Sequence, residues 1–451
     1  MEKNIFIILI LLITFNQTKN KNITKIPFKY YPTNIFFLNQ THPLTSKYMS
    51  QIVIELEIGT PSKKYNLSLN LNSFHSLFLS HKIPGIELTD FYNKSLSSTY
   101  NCTDRQKYYY KEDFNQAEIF SDLISFPENK NSFKFNFLLI DGLGYDVPNE
   151  FYSSGIVGLR LKNEYNYFHL DENRFLYQLK KYNLSKTEVF YFDFYNDNND
   201  NGYLIIGEDL FYDEKNFLQI KVGYLYMPTL LPEWSFNFDE IYYGNIQIKQ
   251  SLDALIKTEN GLILGPTDYE EIIKHFFINS TKCYSNHTKM GYATYRYYYC
   301  NKDFDENTME DLIFELKSIN YSFVFHGNDL FLEENGVKYF KIIFLHYSKN
   351  YYWYLGRDFL KKYRLRFDTD RKLIYIPLNN KKEENKEKMK EISFYKKYFF
   401  WIIICLSICT FVLIIYIIFC LRKYPRKKRM NEIDDDEDFD YKNTEEKEGI
   451  N

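Results

Sequence analysis

The chain has 451 residues, of which 45% are apolar and 25% charged, and its formal net charge is -3. That length supports a substantial core, and that balance excludes a wholly disordered chain and gives no reason to expect nucleic acid as a partner. Aromatic residues are abundant, with 43 tyrosines and 41 phenylalanines.

The N-terminal segment IFIILILLITF (residues 5–15) follows Lys3. It is as long as a signal-peptide core and too short to span a bilayer, so 1–20 is expected to be a signal peptide. Residues 21–47 carry scattered lysines and little periodicity and read as a leader or propeptide-like arm. From Gln51 the pattern alternates through Ile52, Ile54, Leu56 and Ile58, turns at Gly59-Thr60-Pro61-Ser62, and resumes at Tyr65, Leu67 and Leu69. This predicts a hairpin with one apolar face. Further strands are expected in 119–126, 133–140, 155–161, 189–194, 202–207, 218–226 and 241–248.

Helices are few. TDYEEIIKHFF (267–277) predicts one, with a capping box between Thr267 and Glu270 and an inward stripe of Ile272, Ile273 and Phe276. One turn is expected at 359–363, preceded by Asp358. Many short strands with polar turns predict a mostly β, largely antiparallel protein.

The highly charged stretch 379–397 reads as a juxtamembrane stalk. Residues 398–421 carry no charge and, at ~1.5 Å per residue, exceed the roughly 30 Å of a hydrocarbon core, which predicts one transmembrane helix. Arg422, Lys423, Arg426, Lys427, Lys428 and Arg429 follow it and favour the cytosolic side. The expected topology is a single-pass protein of a secretory-pathway or cell-surface membrane, with a luminal or extracellular body. Its tail, 422–451, turns acidic from Asp434 and is expected to be cytoplasmic and disordered.

Nine N-x-S/T sequons beyond the expected signal peptide fit that topology: Asn22, Asn39, Asn66, Asn93, Asn101, Asn183, Asn279, Asn286 and Asn320, none of them in the tail. Cys405, Cys409 and Cys420 lie in the span. Outside it, an oxidising compartment permits one disulfide, and Cys283–Cys300 closes a short loop worth about 3 kcal/mol by loop entropy. Cys102 is left as a buried thiol or an intermolecular partner. The histidines show no metal-ligand spacing, no glycine loop is built for phosphate, and no cofactor is implied.

Two extended segments, 58–80 and 254–266, each precede a tetrad ending in glycine, Gly155-Ile156-Val157-Gly158 and Trp353-Tyr354-Leu355-Gly356. IGTPSKKYNLSLNLNSF, SLSSTYNC, GIVGL, GYLIIG, ALIKTENGLILGP and WYLGRDFLKKYRLRFD occur in that order over residues 48–378. The chain here resembles the pepsin-like aspartic proteases. The resemblance implies a bilobal fold with lobes at 48–195 and 196–378, a central cleft holding one aspartate from each lobe, and a flap whose tyrosine matches Tyr110, with Asp122 after it.

The departures fall at the catalytic loops. Aligning IGTP puts Asn70 at the first catalytic position, with Leu71 and Asn72 after it and Ser73 beyond. Aligning the flanks of the second loop puts Lys257 at the other, followed by Thr258 and Glu259. The mechanism needs two carboxylates sharing a proton, one accepting from water while the other donates to the scissile carbonyl. An amide facing an ammonium supplies neither the base nor the acid in the geometry that mechanism needs. Tyr110, Ser73, Thr258 and Glu259 are therefore read as cleft residues of a non-catalytic homologue, and Lys257 is expected to meet a carboxylate (Glu259, Glu112 or Asp113) or water. Such a protein binds a polypeptide or another membrane protein through its cleft or outer surface. The alternative is an active, membrane-tethered aspartic-type endopeptidase with an atypical centre.

Overall fold

The computed structural model describes residues 23–31, 44, 51–80, 90–110, 114–127, 129–142, 153–162, 173–196, 199–207, 216–223, 233–258, 260–290 and 293–378, all within one compact unit. In chain order the strands and helices are β1 (Thr24–Tyr31), β2 (Gln51–Ile58), β3 (Lys63–Asn70), β4 (Leu77–Leu79), β5 (Asn101–Tyr110), β6 (Phe114–Phe126), β7 (Asn129–Gly142), β8 (Gly155–Gly158), α1 (Phe175–Lys181), β9 (Val189–Asn196), β10 (Asn199–Ile206) and β11 (Phe217–Lys221). There follow β12 (Ser235–Asn237), β13 (Glu240–Tyr243), β14 (Ile246–Ile248), β15 (Asp253–Ile256), β16 (Ile263–Leu264), α2 (Thr267–Asn279), β17 (Cys283–Met290) and β18 (Ala293–Asn301). Last come β19 (Leu312–Leu316), β20 (Tyr321–Phe325), β21 (Phe331–Glu334), β22 (Val337–Phe340), β23 (Ile342–Leu345), β24 (Trp353–Leu355), α3 (Arg357–Tyr363), β25 (Arg366–Asp368) and β26 (Leu373–Pro377).

Three sheets carry these strands: one of 13 strands (β11-β26-β25-β9-β10-β1-β2-β3-β8-β4-β7-β6-β5), one of nine that includes β12-β15-β24-β16-β23-β18-β22-β21, and one of four (β14-β13-β19-β20). A further β2–β6 pairing closes β2-β3-β8-β4-β7-β6 on itself. Alternation in the sequence explains the burial: Ile52, Ile54, Leu56 and Ile58 of β2 pack with Tyr65, Leu67 and Leu69 of β3 in the main core. All seven apolar runs read as strands contribute to them.

The internal echo is a repeated topology. In the first copy β3 runs parallel to β8, with Asn70 opposite Gly158; β8 lies antiparallel to β4, and β4 parallel to β7. In the second, β15 runs parallel to β24, β24 antiparallel to β16, and β16 parallel to β23. The glycine ending each tetrad is where the backbones close in. A Cβ on Gly158 would stand 2.5 Å from the Ser73 carbonyl oxygen, and one on Gly356 2.2 Å from that of Leu262. Only glycine allows that approach.

Some local expectations need correcting. The helix at 267–277 has no capping box: Pro266 is its N-cap and no side chain caps it. Glu270 is instead drawn to Arg296, which donates to it at 2.9 Å. Its fully buried apolar residues are Tyr269, Ile273 and Phe277, with Ile272 and Phe276 packed only partly against the core. The last helix starts at Arg357 rather than at residue 359. The loop closed by Cys283–Cys300 is a hairpin, with the two cysteines opposite each other on β17 and β18 and the disulfide formed. Cys102 is a half-buried thiol, outside the disulfide, packed against the main core.

The arm 21–47 supplies β1, which sits between β10 and β2. It also supplies Leu44, fully buried among Leu262, Leu264, Tyr295, Tyr297 and Ile343. No helix among the described residues is long and apolar enough to cross a membrane. Residues 1–20, the stalk 379–397, the span 398–421 and the tail 422–451 lie outside the described residues. Of the sequons, Asn101, Asn183, Asn279, Asn286 and Asn320 are exposed and Asn66 and Asn93 half-buried, while Asn22 and Asn39 lie outside the described residues.

Candidate functional site

The two loops singled out in the sequence meet. β3 ends at Asn70, which is buried, and its Oδ1 accepts the backbone N–H of Asn72 at 2.7 Å and of Ser73 at 3.0 Å. Its carbonyl accepts the Leu159 N–H at 2.9 Å. The loop after β3 is thus wound around one amide oxygen and fastened to the segment leaving β8. Ser73 is buried as well; its carbonyl takes the Arg160 N–H at 3.1 Å and its hydroxyl donates to the His75 carbonyl at 2.9 Å.

The second loop is built the same way. The Lys257 N–H donates to the Leu355 carbonyl at 2.9 Å, and the Arg357 N–H to the Asn260 carbonyl at 2.8 Å. Between them stands Thr258, fully buried. Its hydroxyl donates to the Leu69 carbonyl at 2.8 Å and accepts the Leu71 N–H at 3.3 Å. Those backbone groups flank Asn70, and Thr258 directly follows Lys257, so one side chain brings the two aligned positions side by side across 187 residues of sequence. On the first loop Leu71, where the family has threonine, has no hydroxyl to reciprocate.

The half-buried Lys257 places its Nζ 5.6 Å from the centroid of the Tyr354 ring. Burial raises the Tyr354 hydroxyl above its ordinary value, an effect the Lys257 charge opposes and the Glu233 charge adds to. Glu233 pairs with Arg160 at 3.6 Å, and the neighbouring Trp234 donates its indole N–H to the Leu159 carbonyl at 2.9 Å. Tyr354, Glu233 and Arg160 were not singled out in the sequence. Tyr354 and Arg160 were legible in principle, since the first lies inside its tetrad and the second just beyond. Nothing in the sequence marks Glu233.

The carboxylates expected near Lys257 (Glu259, Glu112 and Asp113) lie outside the described residues. Tyr110 ends β5 opposite Phe114 of β6, at the tip of the β5–β6 hairpin. Asp122, further along β6, is buried and accepts hydroxyl bonds from Tyr92 at 2.7 Å and Thr99 at 2.6 Å. Near the first loop, Arg174 pairs with Glu188 at 2.8 Å, both all but fully buried.

His75 lies close to that pair with its Nδ1 enclosed, and burial followed by the Arg174 charge pushes its pKa down to about 4. The folded protein therefore favours neutral His75. That contribution is present above the unfolded value near 6.5 and is lost as the pH falls from there towards 4.

Two expectations follow. Thr258→Val, which leaves the Leu69 carbonyl and Leu71 N–H unmatched in a buried place, lowers unfolding free energy by ~2 kcal/mol in urea denaturation, whereas Thr258→Ser stays close to wild type. Stability measured between pH 7.5 and pH 4 falls by about 2 kcal/mol through His75, allowing for the exposed ring edge, and His75→Gln removes that part of the slope.

Comparison with known proteins agrees with this architecture. Residues 50–377 match the family model described as eukaryotic aspartyl protease. No curated protein matches the chain. The matched residues take in both loops, both tetrads and the hairpin between them, and the chain belongs to the eukaryotic aspartyl protease family.

Proposed function

We propose that this chain is a catalytically silent aspartic-protease homologue, tethered to a membrane, which binds an extended polypeptide or a membrane-protein partner in a cleft between two lobes. The observation that carries this reading is the Thr258 hydroxyl bridging the backbone on both sides of Asn70. It supports reading Asn70 and Lys257 as the paired positions where the family mechanism requires two carboxylates. Peptide hydrolysis there needs a base for the attacking water and an acid for the carbonyl. An amide has no proton-accepting capacity near neutral pH, and an ammonium has no lone pair. The alternative, an active centre of another kind, needs an oriented base. Glu233, the acidic neighbour described here, is engaged by Arg160.

Binding does not need the dyad. An extended peptide can be held through backbone hydrogen bonds and side-chain pockets, and the β5–β6 hairpin corresponds to the family's flap. Lys257 beside Tyr354 adds a cation and an aromatic ring at the second aligned position. Tethering rests on the uncharged stretch 398–421 with its basic flank, and an extracytoplasmic body on the N-terminal apolar segment and the Cys283–Cys300 disulfide.

The test is to incubate the purified full chain in detergent with a diverse peptide library from pH 3 to pH 7. No cleavage is expected at any pH. Cleavage that a statine transition-state inhibitor abolishes overturns the reading.

A further inference from the structure

Away from the candidate site, Arg296 of β18 gathers three partners. Its Nη1 donates to Glu270 of α2 at 2.9 Å, its Nε to His287 Nε2 at 3.4 Å, and its Nη2 lies 3.1 Å from His346 Nδ1. The two imidazoles touch, with ring centroids 3.8 Å apart. A guanidinium has five donors and no acceptor. Both histidine nitrogens must therefore accept, and both rings are neutral wherever these bonds exist.

The position of the cluster gives this protonation state a structural consequence. His287 on β17 stands opposite Arg296, and His346 directly follows β23. β23 meets β18 through Tyr295↔Leu345 and Arg296↔Phe344, and the His346 N–H adds a bond to the Thr294 carbonyl at 2.9 Å. The guanidinium and its two imidazoles thus fasten the β17–β18 hairpin to the end of β23. From there the chain runs through the buried Asn350, bonded to Gly265 and Tyr352, into β24, which carries Tyr354.

We propose that Arg296, His287 and His346 form an acid-labile latch, closed while both imidazoles are neutral and released when they take up protons. Protonating either ring replaces an accepted hydrogen bond with a like charge against the guanidinium. The surroundings offer little compensation. On α2, Glu270 already serves Arg296 and accepts from the Tyr298 hydroxyl at 3.4 Å, and Glu271 is paired with Lys274 at 2.8 Å. His275 lies on the same helix, and the Tyr347 ring lies 4.1 Å from that of His346. Burial raises Glu270 above its ordinary value despite Arg296, which weakens the hold of this carboxylate on the cluster as the pH falls. His287 is held below its ordinary value by burial, then by His346 and Arg296, the direction a closed latch requires.

Hydrogen–deuterium exchange on the full chain in detergent tests this, with rates corrected for intrinsic exchange at pH 7.5 and pH 5.0. Peptides covering 284–298 and 342–350 are expected to exchange about tenfold faster at pH 5.0, while β2 and β3 change little. The double variant His287→Gln, His346→Asn keeps an acceptor oxygen near each nitrogen but cannot be protonated there, so its exchange at these peptides should not respond to pH. Arg296→Ala should be open at both values. Running each form also in a His75→Gln background separates local release from global acid loosening. Equal protection of the wild type at both pH values, or an unchanged pH response in the double variant, overturns the latch.

Discussion

The hydroxyl of Thr258 reaches across the molecule to a backbone carbonyl and a backbone N–H that flank Asn70. Both groups are buried at the end of a strand, where an unmatched polar group is costly. Satisfying them from a residue 187 and 189 positions away forces the two topological repeats to meet at their equivalent loops. Much else follows from that closure. Gly158 and Gly356 must lack side chains because each loop passes over its tetrad, and Lys257 must sit beside the strand bearing Tyr354. The meeting of the repeats is thus held by the Thr258 side chain, while the Asn70 amide oxygen holds the turn of its own loop.

Much of this fold was legible because it rests on periodicity and on glycine. The β2–β3 hairpin shows its buried face in simple alternation, and the two tetrads announce close backbone approach. The β17–β18 hairpin was harder to see. Tyr295 and Tyr297 bury one face while Tyr298 and Cys300 bury the other, so no apolar–polar alternation marks it as a strand. The capping box failed for a related reason: a local S/T-x-x-E pattern cannot reveal that Arg296, well downstream, claims the glutamate. The arm was legible as extended chain, but its pairing with β2 and β10 is a long-range event without a local signature.

At the site the sequence identified Asn70, Lys257 and Thr258, and the chemistry of each side chain could be stated before any geometry. The surroundings of Lys257 were not predictable in the same way. Its aromatic neighbour Tyr354 comes from a parallel strand, and the Arg160–Glu233 pair joins the exit of one repeat to the entrance of the other. The ionisable groups buried around the first loop also set a physical limit on use. Arg174 and Glu188 are worth little as a net stabiliser, yet removing either partner leaves a charge stranded, at a cost of about 3–5 kcal/mol. Burial beside them keeps His75 neutral, a contribution that is lost on acidification.

An experimentally determined structure of the body at ~2 Å, at pH 7 and again at pH 5, tests the central claim most directly, because it resolves which side chains face each other where the repeats meet. The account requires Thr258 Oγ1 between the Leu69 carbonyl and the Leu71 N–H, with the Asn70 amide and the Lys257 ammonium beside it. Two carboxyl groups within hydrogen-bonding distance of one another at that point would contradict it.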